Sequence, residues 1–189
     1  MKEKNMKEKK DLLLVIDMQN VYLPEQEWAC PSMGRTSVVI RKLLDTCQFQ
    51  EVIFTKFTAP EQPQGRWKAY NEVNQQINED AWLNDITEDL KPYLNKGKVC
   101  EKSVYSSMKI PEVVQAAKKA GHIVLTGVVA ECCVLATMME AIDLGCPVIY
   151  LTDAISGQSE EKEAQIRALA ESFAPVHTAV ETSEEYLTE

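Results

Sequence analysis

The sequence predicts an α/β protein: one three-layer α/β/α domain with a mostly parallel sheet of about six strands and helices on both faces. Two observations lead there. Apolar, β-branched runs alternate with stretches of helical spacing almost from end to end, the pattern of repeated strand–helix–strand units. The chain has 189 residues, a length that suits one domain and buries about 70% of the surface exposed by the unfolded form. Hydrophobic residues make up 45% and charged residues 26%, so disorder, collagen and coiled coil fit poorly.

Asp11 to Met18, DLLLVIDM, is a continuous aliphatic run suited to a strand covered on both faces. Residues 34–47 follow with helical spacing at Val38, Val39, Leu43 and Leu44. Residues 51–57, EVIFTKF, predict a second strand, and 98–103, KVCEKS, a weaker third. Pro111 to Ala120 predicts a helix with proline in its first turn and Gly121 just past its end. Residues 122–129, HIVLTGVV, predict a fourth strand, 131–144 a helix closed by Gly145, and 146–152 a fifth strand. A Glu-, Ala- and Leu-rich helix over 159–173 and a last strand over 175–180 complete the series. Between them, 58–95 is irregular, with Pro60, Pro63 and Pro92 among Trp67, Tyr70, Trp82 and Tyr93. A connection that long is functional or carries short helices of its own. Residues 1–10, with five Lys and two Glu, read as a basic, solvated tail ahead of a domain over 11–189.

Charge and composition narrow the function. The formal net charge is −9, which disfavours phosphate backbones and anionic membranes, so neither nucleic acid nor a membrane is an expected partner. The N-terminus lacks an apolar signal core, and a cytoplasmic location is expected. Cysteines 30, 47, 100, 132, 133 and 146 include no CxxC pair, and the two histidines, His122 and His177, lie far from any cysteine in sequence. A zinc finger or disulfide framework is therefore not expected. Dinucleotide and P-loop fingerprints are absent, and no cofactor is expected.

In parallel α/β sheets ligands bind beyond the carboxyl ends of the strands. Asp17 ends the first predicted strand, where a carboxylate is a turn residue or a general base. Lys102 ends the third, where it is a solvated side chain unless a partner such as Asp17 meets it. After the fourth, TGVVAECCVLATMMEA runs through Gly127 into a helix that begins near Cys132 and Cys133. A thiol at a helix start is expected to have a lowered pKa, and the free backbone N–H groups there can hold an oxyanion. Acid, base and thiol candidates thus each end a separate strand, where a site should assemble.

These segments resemble the isochorismatase-like cysteine hydrolases, which include nicotinamidases, N-carbamoylsarcosine amidohydrolases and ureidoacrylate or biuret hydrolases. The family's opening strand ends in Asp followed by a Gln-Asn pair and an aromatic, matched by VIDMQNVYL. Its lysine segment is matched by Lys102 to Ser106, and its nucleophile segment, G-V-x-x-x-x-C-V-x-x-T, by Gly127 to Thr137. The resemblance spans about 11–182. It implies that Cys133 attacks a carbonyl carbon, Asp17 takes the thiol proton and returns it to the leaving amine, and Lys102 keeps Asp17 ionised. It also implies a cis peptide at Val128–Val129, backbone N–H groups of Val129 and Cys133 aimed at the oxyanion, and a homo-oligomer, either dimer or tetramer. Cys132 falls at a variable position.

The chain departs from the family where nicotinamidases bind a metal through Asp and histidines after the second strand. Here that stretch is KFTAPEQPQGRW, and no histidine precedes His122. The expectation is a metal-independent hydrolase that cleaves a C–N bond of a small amide, ureide or carbamoyl compound through a thioester. A vinyl ether hydrolase of the isochorismatase type, or a non-catalytic thiol-sensing relative, are the alternatives. Tyr22, Phe57, Trp67 and Tyr105 are candidates to line a small-molecule pocket, and Gln19 and Arg66 to anchor polar groups of a substrate.

Overall fold

In the computed structural model, residues 7–188 are described. The chain alternates strands and helices in the order β1 (Lys7–Ile16), α1 (Met33–Thr46), β2 (Cys47–Phe57), α2 (Trp67–Val73), α3 (Gln75–Glu79), β3 (Lys98–Lys102), α4 (Pro111–Ala117), β4 (Ile123–Val128), α5 (Leu135–Asp143), β5 (Val148–Ser156), α6 (Glu160–Ser172), β6 (Thr178–Glu181) and α7 (Ser183–Thr188). The six strands form one sheet in the order β3-β2-β1-β4-β5-β6, and every neighbouring pair is parallel.

The strand–helix period explains the layers. Along β1 successive side chains face opposite sides. Leu12, Leu14 and Ile16 join a cluster with Val113 of α4, Met138 of α5 and Ile166 of α6, while Leu13 and Val15 join Ile40 and Leu43 of α1 and Tyr186 of α7. Both faces of the strand are therefore dry, which is why its sequence is a run rather than an alternation. Each such aliphatic side chain contributes roughly 1.5–3 kcal/mol by burial. Local signals agree with the packing. Pro111 opens α4, and the Ser159 side chain caps α6 by accepting the Lys162 N–H at 3.2 Å.

Two expectations change at the ends of elements. β1 begins at Lys7, so residues 7–10 are strand rather than tail, while residues 1–6 of the expected tail lie outside the described residues. Pairing of Lys7 to Lys9 with Cys47 to Phe49 extends the sheet there, and the Lys9 ammonium reaches the Tyr186 carbonyl at 2.9 Å. The expected helix over 131–144 opens instead as a wide turn, Ala130–Val134, closed by the Val134 N–H on the Val129 carbonyl at 3.1 Å. Turns of this width occur often at functional sites. Among the described residues no helix is long and apolar enough to cross a membrane.

The strand order reverses direction between β1 and β4. From β1 the sheet grows one way through β2 and β3, and from β4 the other way through β5 and β6. Such a reversal point opens a crevice beyond the carboxyl ends of the two central strands.

Candidate active site

Asp17 is the residue after β1, in a left-handed backbone conformation (φ 48°) that turns its carboxylate into the crevice floor. It is fully buried. The Lys102 ammonium, from the end of β3, donates to Asp17 Oδ2 at 2.5 Å and to the Val104 carbonyl at 3.2 Å. The Thr55 hydroxyl of β2 donates to Asp17 Oδ1 at 2.7 Å. A buried carboxylate is tolerable when it is paired and hydrogen-bonded in this way.

Cys133 approaches from β4. Gly127 has φ +103°, and a Cβ there would stand 2.1 Å from the Ile16 carbonyl oxygen. Only glycine lets β4 lie this close to β1 just before the chain turns. The Val128–Val129 peptide is cis. The wide turn that follows directs the Cys133 side chain back toward β1, where the thiol interacts with both the Asp17 carboxylate and the Lys102 ammonium. The Thr137 hydroxyl ties this turn to the segment after β3, donating to the Cys133 carbonyl at 2.7 Å and accepting the Ser107 N–H at 2.9 Å. Four chain segments are thereby locked around one carboxylate, one ammonium and one sulfur.

The electrostatics differ from the helix-start expectation. Burial, followed by the Asp17 charge, pushes the Cys133 thiol well above its ordinary range, and Lys102 only partly opposes them. The direction is opposite to the lowered pKa expected of a thiol at a helix start. Burial pulls Lys102 down, but the Asp17 charge and the Cys133 sulfur outweigh it and hold the lysine above its usual value.

A chamber of about 140 Å³ opens over the sulfur. Tyr22, Trp28, Tyr70 and Tyr105 form its aromatic walls, and Asn74, Val129, Cys132 and Gln158 complete it with Cys133. Of the candidates named from sequence, Tyr22 and Tyr105 line it. Phe57 and Trp67 do not line it; each meets the Tyr70 ring edge-on. A larger cavity of about 430 Å³ is lined by 58–61, 101–104 and 109–112, Lys102 among them, and does not include Cys133.

Gln19, a candidate to anchor substrate, is not among the residues that line the chamber. Its side-chain NH₂ donates to the Phe57 carbonyl at 3.0 Å and the Asn84 carbonyl at 2.8 Å, and its Oε1 accepts the Phe57 N–H at 2.8 Å. With its bonds spent on backbone and 1% exposure, it is a clamp between β1, β2 and residue 84. Arg66 is exposed at the start of α2 and is not a lining residue. Sequence reading did not find Trp28, Tyr70, Asn74 or Gln158 as lining residues. The aromatic content of 58–95 hinted at Tyr70, but nothing in the sequence marked Gln158, which reaches the chamber because β5 runs four residues past its predicted end.

The metal site of nicotinamidases is not reproduced by these residues. The stretch after β2 has no imidazole, and among the described residues no group of three His, Cys, Asp or Glu side chains is placed to hold an ion.

Known proteins carry the same architecture. An N-carbamoylsarcosine amidase from Thermoplasma acidophilum is 21% identical with a TM-score of 0.70, over 95% of this chain and 98% of that one. A cysteine hydrolase from Pseudomonas syringae is 19% identical with a TM-score of 0.76, over 95% and 91%. An isochorismatase-like hydrolase from Alkaliphilus metalliredigens is 18% identical with a TM-score of 0.74, over 95% and 97%. At these identities the likeness is one of fold. No curated relative matches the sequence closely enough to count. The sequence model of the isochorismatase domain matches residues 11–181, from the first buried residues of β1 to the end of β6. With nearly the whole sheet and its crevice inside that match, the chain belongs to the isochorismatase family and is an isochorismatase-like hydrolase.

Proposed function

We propose that this hydrolase cleaves the C–N bond of a small amide, ureide or carbamoyl compound through a thioester on Cys133, without a metal ion. The observation that carries the reading is the meeting of the Cys133 thiol with the Asp17–Lys102 pair beneath a small chamber. A thiol is a weak nucleophile until a neighbouring base takes its proton. As the sulfur attacks the carbonyl carbon, its proton passes to Asp17, and Lys102 stabilises the charge that remains. The carbonyl oxygen becomes an oxyanion held by the backbone N–H groups of Val129 and Cys133; one such donor is typically worth about 2.7–4 kcal/mol in the transition state. The C–N bond then breaks, and Asp17 returns the proton to the departing nitrogen. Water adds to the thioester with Asp17 as base, the C–S bond breaks, and the sulfur regains its proton as the acid leaves. The donor set after β2, without imidazoles, supports a reaction that needs no bound cation.

The test is ammonia release from a panel of small amides and ureides. Cys133→Ala abolishes release and Cys132→Ser largely keeps it, while mass spectrometry finds the acyl adduct on the Cys133 peptide. An inactive Cys132→Ser enzyme with an active Cys133→Ala enzyme overturns the reading. Chelator treatment leaves the wild-type rate unchanged.

A further inference from the structure

The chamber over Cys133 presents no net charge to whatever enters it, and this restricts the substrate. Its described lining residues include no Arg, Lys, Asp or Glu. Its polar groups are the phenols of Tyr22, Tyr70 and Tyr105 and the side-chain amides of Asn74 and Gln158. Burial first, then neighbouring groups such as the Cys133 sulfur, keeps all three phenols above their usual range and therefore neutral.

The two ammonium groups that touch lining residues are already matched. Lys102 is taken by Asp17 at 2.5 Å. On the opposite rim Lys162 donates to Gln158 Oε1 at 2.9 Å, but Glu131 meets the same ammonium at 3.0 Å. Arg35, further along that edge, is held by Glu163 at 3.1 Å. A carboxylate or ammonium entering between the rings would lose water and find no counter-ion, which is costly. The volume of about 140 Å³ is close to the roughly 150 Å³ of an apolar cavity known to hold one benzene molecule.

We propose that the chamber selects an uncharged small amide, with an acyl group no larger than a short chain or a single ring, and rejects analogues bearing a carboxylate or an ammonium group. This inference rests on the amide-hydrolysis reading, and it deepens that reading by fixing the charge of the substrate. Aromatic walls can also attract a cation through their faces, so the cationic analogue is a necessary arm of the test.

The experiment has two parts. In the first, butyramide, malonamate and β-alaninamide, which are within one heavy atom of each other in size and differ in charge, are compared by ammonia release. Butyramide exceeds both others in kcat/KM by at least about tenfold, the equivalent of 1.4 kcal/mol. In the second, the wild-type protein is alkylated with iodoacetamide, iodoacetate or bromoethylamine, and labelling of the Cys133 peptide is followed by mass spectrometry. In each case sulfur displaces halide; the reagents also differ in leaving group and intrinsic reactivity, which normalisation to a free thiol removes. Relative to the same reagents on glutathione, Cys133 favours iodoacetamide by at least about tenfold, on the same arithmetic. Equal or faster labelling by iodoacetate or bromoethylamine, or equal turnover of a charged amide, overturns the inference. Absence of ammonia from every amide, with iodoacetamide still preferred at Cys133, counts against the amide reading alone and leaves the neutral chamber supported.

Discussion

The carboxylate of Asp17 and the ammonium of Lys102 lie 2.5 Å apart, although 85 residues separate them in sequence, and their side chains are 0% and 1% exposed. Neither charge has water to fall back on. Removal of one partner leaves the other buried and uncompensated, which costs about 3–5 kcal/mol. Lys102→Met should therefore lower unfolding stability by that amount as well as turnover. Urea denaturation separates the two effects, because a purely catalytic lysine would leave the midpoint in place.

The same carboxylate raises the Cys133 pKa, while Lys102 lowers it. Asp17→Asn removes the raising charge and keeps the shape. Thiolate absorbance at Cys133 should then appear at a lower pH than in the wild-type protein, while turnover is lost. A nucleophile that needed only a low pKa would instead become faster.

Raised thiols also set the alkaline limit of stability. Cys133 is pushed well up, first by burial, and Cys30 is pushed up to about 12, again first by burial. A thiol with a folded pKa above its unfolded value keeps its full contribution below the unfolded pKa of about 8.5. Above that pH the unfolded chain ionises first, so stability falls as pH rises toward the folded values. Unfolding free energy measured from pH 7 to 10.5 should be level at first and decline beyond about 8.5, and Cys30→Ala should make the decline shallower.

Gln19 gives a test that distinguishes a clamp from a substrate contact. Gln19→Ala leaves the Phe57 N–H and the Phe57 and Asn84 carbonyls without their partner. Each buried orphan costs about 1–3 kcal/mol. Stability should fall by at least about 2 kcal/mol on that scale, and KM for a small amide should change little in the fraction that remains folded.

Gly127→Ala should be among the most damaging single changes in the chain. The new Cβ would meet the Ile16 carbonyl oxygen at 2.1 Å in a backbone conformation of φ +103°. The expected loss is about 4 kcal/mol or more, read as failure to accumulate folded protein or as a large fall in the denaturation midpoint.

Particular residues show what could be read from sequence and what could not. The β1 run and the alternation after it give the parallel sheet, because strands buried on both faces leave an unbroken apolar signal. Asp17 and Cys133 are legible for the same reason, since each follows such a signal at the end where ligands bind; Lys102 follows a short, mostly exposed edge strand and stands out only as the partner of Asp17 and through the resemblance. Gln19 is misread because its partners, Phe57 and Asn84, are 38 and 65 residues away. Tyr70 and Asn74 are hard to place because α2 is only seven residues long and buries none of them, too short a stretch for helical spacing to stand out. Residues 7–10 look like a tail because pairing with β2 is made by the backbone whatever the side chains, and because the lysine stem of Lys9 can lie on the Tyr186 ring while its charge stays outside.

The fold sets the carboxylate and the ammonium at strand ends and the sulfur in the wide turn after β4, while most of the ring-lined wall comes from the connections between strands. Chemistry and taste are thus carried on different parts of the chain. Drift in the segments around Trp28, Tyr70 and Gln158 can exchange one small molecule for another without disturbing the reacting atoms, which gives a lineage built on this scaffold room to acquire new diets from an unchanged engine.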